Sequence, residues 1–289
     1  MPPLTDLAVP GPYEHTFVHT RGLRLHAAIC GDPNAPLALL LHSSASGWFE
    51  YQHILPLLAD AGYRACALSF RGYGLSDRPP TGYEIRHAVG DSSGTIRALG
   101  HSDAIIIGNG TGGSIAWALA AAQPKRVRTL ITLNAIHPTD LRRAIAARPW
   151  LYTGELLRWP TEQLVRQPLQ PLTFTRRDSD SDQRVSNYME LYRLAGSHEK
   201  ANSIILKNTK LTYRWVPASW FSAKAHCPVL ILHNNQQRWK HLLRRAATRT
   251  TSQVSALSIP DSFAPGTLLP QVEHPTEFTD VIVRYLRSL

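Results

Sequence analysis

Apolar residues along this chain gather in short runs with two periodicities. Leu37-Ala38-Leu39-Leu40-Leu41 and Ala104-Ile105-Ile106-Ile107 are continuous, the pattern of strands covered on both faces of a parallel sheet. Further strand-like runs occupy Tyr13 to His19, Leu23 to Cys30, Arg64 to Ser69 and Val127 to Leu133. Helical patterns fill Tyr51 to Asp60, Arg86 to Leu99 and Gly112 to Ala122. Strands and helices alternating at this length predict an α/β fold with a mostly parallel sheet, because a parallel pair needs a crossover helix.

After Pro138 the rhythm changes. Residues 139 to 225 are amphipathic and irregular, rich in Arg, Trp and Pro. They predict a helical insertion, with the polar run Arg176 to Arg184 as an exposed loop inside it. Strand character resumes at Pro228-Val229-Leu230-Ile231-Leu232. A helix, a strand at Gln253 to Ile259, a loop and a closing helix at Thr276 to Leu286 follow. The expected organisation is one core, residues 1–138 and 226–289, interrupted by an insertion over 139–225.

Composition narrows the class without naming a function. At 289 residues and 43% hydrophobic content the chain can bury one large core. Cys30, Cys66 and Cys227 lie far apart with no C-x-x-C spacing, which predicts reduced thiols and a cytoplasmic location. Met1 to Pro12 lacks a signal-peptide pattern, and no apolar run approaches the roughly 20 residues of a membrane span. The net charge of +10 raises the question of nucleic acid, but the charge is scattered. Its densest stretch, Arg238, Lys240, Arg244, Arg245 and Arg249, reads as the solvated basic face of a helix. Neither a nucleic-acid nor a membrane partner is expected.

The chemistry-bearing segment is Ile107-Gly108-Asn109-Gly110-Thr111-Gly112-Gly113, which leaves an apolar strand and enters a small-residue helix. A strand-turn-helix of this kind exposes the side chain at its sharp apex, the place for a nucleophile. Here the apex is Gly110, and a hydrogen atom attacks nothing. The glycine spacing is not a dinucleotide fingerprint, and no cluster has metal-ligand spacing, so no cofactor and no metal are expected.

Four more blocks accompany the elbow. They are Leu41-His42-Ser43-Ser44 followed by Trp48-Phe49-Glu50-Tyr51, the turn Phe70 to Pro80 with Arg71-Gly72-Tyr73-Gly74-Leu75-Ser76, Ala98-Leu99-Gly100-His101, and Leu133 to Pro138. In this order they resemble the epoxide hydrolase and haloalkane dehalogenase branch of the α/β-hydrolase superfamily, from Leu39 to Pro138. The resemblance implies an α/β-hydrolase fold, with the insertion as a helical cap over the pocket. It also implies an aspartate at the position of Gly110 and a histidine at that of Asn109.

The other positions that the resemblance assigns are altered as well. The orienting acid falls within Asn234-Asn235-Gln236-Gln237, or, in the dehalogenase arrangement, at Asn134, so amides stand where a carboxylate is expected. Aligning Glu273 and Pro275 to the family's Glu-x-Pro places Thr267 or Leu268 at the base; other registers offer Ser262 or Ala264. No histidine occurs between His241 and His274. Of the two cap tyrosines that activate an epoxide, one aligns near Tyr152 and Thr153 and the other falls on Ser203-Ile204-Ile205-Leu206. The vacated positions are therefore Gly110, Asn134, Gln237 and Thr267.

What remains is a pocket framework. The amides of Ser43 and Thr111 are expected to face a ligand oxygen, with Ser43, Ser44, Trp48, Asn109, Gly110 and Thr111 around it; local capping is the competing role for the hydroxyls. His42, Tyr152 and His274 are the remaining candidates for proton transfer, against a bracing role for His42. The expected partner is a small molecule. One expectation is a non-hydrolytic cyclisation, isomerisation or related rearrangement of a small hydrophobic or polyketide-like metabolite. A ligand-binding pseudoenzyme is the alternative, and a weak hydrolase with displaced groups the third.

Overall fold

A computed structural model describes residues 4–43, 46–135, 137–147, 179–197, 223–233, 245–263, 267 and 269–289. Eight strands form one sheet: β1 (Glu14–Thr20), β2 (Leu23–Cys30), β3 (Leu37–Leu41), β4 (Arg64–Leu68), β5 (Ala104–Asn109), β6 (Val127–Leu133), β7 (Val229–His233) and β8 (Val254–Ser258). Their order is β1-β2-β4-β3-β5-β6-β7-β8. β2 pairs antiparallel with β1 and β4, and every other pairing is parallel. The β1–β2 turn is Arg21-Gly22, both at positive φ (52° and 76°), as a tight right-twisted hairpin requires.

The helices are α1 (Ile54–Asp60), α2 (Ile85–Ala98), α3 (Thr111–Ala122), α4 (Pro138–Ala147), α5 (Ser179–Ser197), α6 (Ile259–Ser262), α7 (Pro270–Glu273) and α8 (Pro275–Arg287). The continuous apolar runs behave as their pattern predicts: every residue of β3 and of β5 is buried, because helices cover both faces. One half of the core joins alternate positions of these strands to α2 and α3 through Leu39, Leu41, Ile106 and Trp117. The other joins Leu40 and Ile107 to Trp48, Tyr51 and α8 through Phe278 and Ile282.

Three expectations change. Within the polar run Arg176 to Arg184, the described part is helical: α5 begins at Ser179, and Asp180 and Asp182 in its first turn offset the positive end of the helix dipole. Arg249 is not on a solvated face. It is 7% exposed and reaches Asp140 of α4 through Nε (2.7 Å) and Nη2 (2.6 Å). Residues Trp48–Tyr51 form a 3-10 turn, and the following helix starts only at Ile54. Of the expected insertion over 139–225, α4 and α5 carry most of what is described; residues 148–178 and 198–222 lie outside the described residues. Among the described residues no helix is long and apolar enough to cross a membrane, and no group of three potential ligands could hold a metal ion.

Candidate functional site

The site is built where β5 turns into α3. Gly110 stands at the apex with φ 50° and ψ −113°, a backbone that costs an L side chain strain. Its amide donates to Leu133 O at the end of β6 (2.9 Å), and its carbonyl accepts the first helical bond, from Ser114 (3.0 Å). The neighbouring glycines answer a different demand, which is space. A Cβ on Gly108 would lie 2.6 Å from Gly113 N; one on Gly112 would overlap Leu41 O, and one on Gly113 would overlap the Ala135 methyl. A Cβ on Gly110 would meet only Ser43 Cβ, at 3.5 Å, an ordinary contact. The apex thus has room for a Cβ, but a backbone conformation that favours glycine. Thr111, 6% exposed, opens α3, so its amide has no partner within the helix.

Behind the apex lies a buried carboxyl. Glu50, 1% exposed, accepts from Asn109 Nδ2 (2.7 Å) and Gln271 Nε2 (3.1 Å) on Oε1, and from the Ser43 amide (3.1 Å) on Oε2. The Ser46 hydroxyl adds a further bond, and Tyr188 of α5 donates to Ser46 Oγ (3.2 Å). Burial pushes the Glu50 carboxyl up, against the pull of these donors. The Ser43 amide, expected to face a ligand, is therefore turned to Glu50. His42 is fully buried, and both ring nitrogens are engaged: Nδ1 with Ser43 O (2.7 Å), Nε2 with the Phe70 amide (3.2 Å). Burial lowers its pKa to about 4, so the ring is neutral and braces the loop.

The remaining candidates scatter. Trp48 is core, not pocket wall: the 3-10 turn aims it at the β1–β2 hairpin, where its indole N–H reaches Leu7 O (2.9 Å) and its ring packs edge-on against Tyr13, His15 and His26. Asn134 follows β6 at φ 47°, which asparagine tolerates, with its amide on Leu232 O (2.8 Å). Thr267 is buried, and His274 sits half-buried between α7 and α8, where its carbonyl accepts from the Phe278 amide (2.9 Å). Ser44, Tyr152, Thr153, Ser203 to Leu206, Gln237 and Leu268 lie outside the described residues. A cavity of about 1060 Å³ opens between Val9–Tyr13, α1, α5 and the start of α8. It is lined by His53, Leu57, Arg184 and Leu194 among others, and by no elbow residue.

Residues 36–237 match the family model described as the alpha/beta hydrolase fold. The chain belongs to the α/β-hydrolase fold family. Its relatives within that family are epoxide-hydrolase-like. It is 37% identical over 139 residues to an AB hydrolase superfamily protein of Bacillus subtilis, covering 47% of this chain and 49% of that protein. It is 37% identical over 123 residues to epoxide hydrolase 3 of Siraitia grosvenorii, covering 42% and 38%. The matched stretch thus spans half or less of these curated relatives. Among solved structures, epoxide hydrolase A of Mycobacterium thermoresistibile superposes with a TM-score of 0.73 at 22% identity, over 95% of this chain and 98% of that one. An epoxide hydrolase of Vigna radiata gives 0.68 at 20%, over 96% and 99%. At these identities the likeness is one of fold.

Within this α/β-hydrolase framework the elbow brings Ser43, Asn109, Gly110 and Thr111 close together, beside three residues that the sequence pattern does not single out: Glu50, Gln271 and Tyr188. The one sequence signal for them is a carboxylate inside the aromatic block Trp48-Phe49-Glu50-Tyr51, all four positions of which are buried. Chemically, the described part of the site offers a helix N-terminus, the Thr111 amide and neutral hydroxyls, with a carboxyl held behind them. That set can position and polarise a ligand oxygen.

Proposed function

We propose that this α/β-hydrolase-fold chain is a non-hydrolytic enzyme that binds a small hydrophobic or polyketide-like molecule beneath its cap and promotes a cyclisation, isomerisation or related rearrangement. The observation that carries this is Gly110: the backbone of a nucleophile position, φ 50° and ψ −113°, is kept with no nucleophile on it. Amides at Asn134 and Gln237, Thr267 at the base position and a neutral, doubly engaged His42 point the same way. Proximity and fixed dipoles lower a barrier by several kcal/mol without a covalent step. A second reading, a ligand-binding protein without turnover, is favoured by the Ser43 amide, which is already bonded to Glu50.

The test begins with native mass spectrometry of the purified protein, to find a retained small molecule, followed by incubation with that molecule. Conversion to an isomer of equal mass supports the enzyme, and unchanged recovery over long incubation supports the binding protein. Simple epoxides, haloalkanes and p-nitrophenyl esters are expected to show no turnover above background. Sustained hydrolysis of any of these would overturn both readings.

A further inference from the structure

Glu50 is a buried carboxyl beside the elbow, and it is held by neutral donors from three separate segments. Ser43 and Ser46 come from the loop after β3, Asn109 from the end of β5, and Gln271 from α7; through Ser46 the cluster also reaches Tyr188 of α5. Two of the direct partners, Ser43 and Asn109, flank the Gly110 apex in space and in sequence. A second observation concerns Gln271, itself 1% exposed: its Oε1 is a buried acceptor with no partner, while its Nε2 donates to Glu50. An ionised Glu50 cannot donate to that oxygen, whereas a protonated one can, after a small rotation of the carboxamide. The cluster therefore has a complete set of partners for the carboxylate and a waiting acceptor for the acid.

We propose that Glu50 is the positioning residue of the elbow pocket and sets how firmly a backbone amide is withheld from a ligand: ionised, it holds Ser43 N–H by a charge-assisted bond; protonated on the oxygen beside Gln271, it holds that N–H only through a neutral carbonyl oxygen, which a ligand oxygen can displace. The inference rests on the proposed placement of a ligand oxygen at the elbow. Its sign is fixed by the competition. A ligand oxygen that needs Ser43 N–H binds better as pH falls through the Glu50 titration, and one that uses only the Thr111 amide does not respond. Other groups facing the carboxyl leave this assignment intact. Tyr51 beside it and Tyr188 from α5 are buried and pushed up, so both stay neutral; His42 is neutral with its pKa near 4. Glu273 of α7 accepts the Leu269 amide, and Arg184 of α5 donates to Glu273 O, so both belong to a neighbouring network.

The experiment needs no ligand, so it succeeds or fails separately from the search for turnover. Backbone and side-chain amide resonances of the full chain are followed by 15N-resolved NMR from pH 8 downward. The Ser43 amide and the Asn109 and Gln271 carboxamides are expected to shift together, with one midpoint above the ordinary carboxylate range. In Glu50→Gln the common titration disappears, and hydrogen exchange at Ser43 is about tenfold faster than in the wild type at neutral pH, as loss of a charge-assisted bond predicts. A Ser43 resonance that stays flat while the carboxyl titrates, or that moves equally in Glu50→Gln, overturns the proposal. Should Glu50→Gln not fold, the wild-type titration decides alone: shared midpoints uphold the proposal and independent ones overturn it.

Discussion

Gly110 and Gly112 stand two residues apart and fail in different ways when changed. Gly110 has room for a Cβ but a φ of 50°, so Gly110→Ala is expected to cost about 1–3 kcal/mol of backbone strain and still fold. Gly112→Ala drives its methyl into Leu41 O of the central sheet, and is expected to cost more than Gly110→Ala or to abolish folding. Urea unfolding of both variants checks the order, and equal losses would contradict it. The sequence alone identifies all four elbow glycines, because their spacing after an apolar strand is distinctive. It does not separate the glycine required by conformation from those required by contact, since that depends on what lies 3 Å away. Glu50 shows the same limit more strongly: its partners Asn109 and Gln271 are 59 and 221 residues distant along the chain.

At the scale of elements, strand runs were legible almost to the residue: Leu23–Cys30, Leu37–Leu41 and Val127–Leu133 have the bounds their apolar pattern implies. Where polar residues are buried in pairs, pattern reading loses its signal. Arg249 looks like part of a basic stretch, yet it joins the segment before β8 to the first turns of α4 through Asp140, 109 residues away. That pair ties the start of α4 to the segment before β8. Asp140→Ala leaves the Arg249 guanidinium buried without its bidentate partner, and is expected to lower stability by about 3–5 kcal/mol. Replacing both residues with apolar ones of similar size should cost far less. Denaturant midpoints of the single and double variants test this; a single-variant loss below about 1 kcal/mol would show that the pair adds little, as exposed pairs do.

For the molecule as a whole, three histidines buried among the described residues make stability depend on pH. His26, His42 and His137 each have a folded pKa lowered to about 4, by burial first and then, for His26, by His15 and, for His137, by Arg249. The unfolded chain takes up these protons near pH 6.5, before the folded chain does. Their contribution is therefore complete above pH 6.5 and is lost as pH falls toward 4, by up to about 3 kcal/mol per histidine. Glu50, shifted up by burial, works in the opposite direction. Urea unfolding at pH 7 and pH 4.5 should show a marked loss at the lower pH; unchanged stability would mean that these rings find partners for the charged form. The sequence by itself determined the sheet, its parallel crossovers and the glycine at the elbow apex, because periodicity and the identity of an apex residue are local properties of the chain. Only the tertiary structure decided that Trp48 belongs to the core, that His42 is a brace and that Ser43 N–H faces a carboxylate. Burial and hydrogen-bond partners arise where distant segments meet, and no local pattern encodes that meeting.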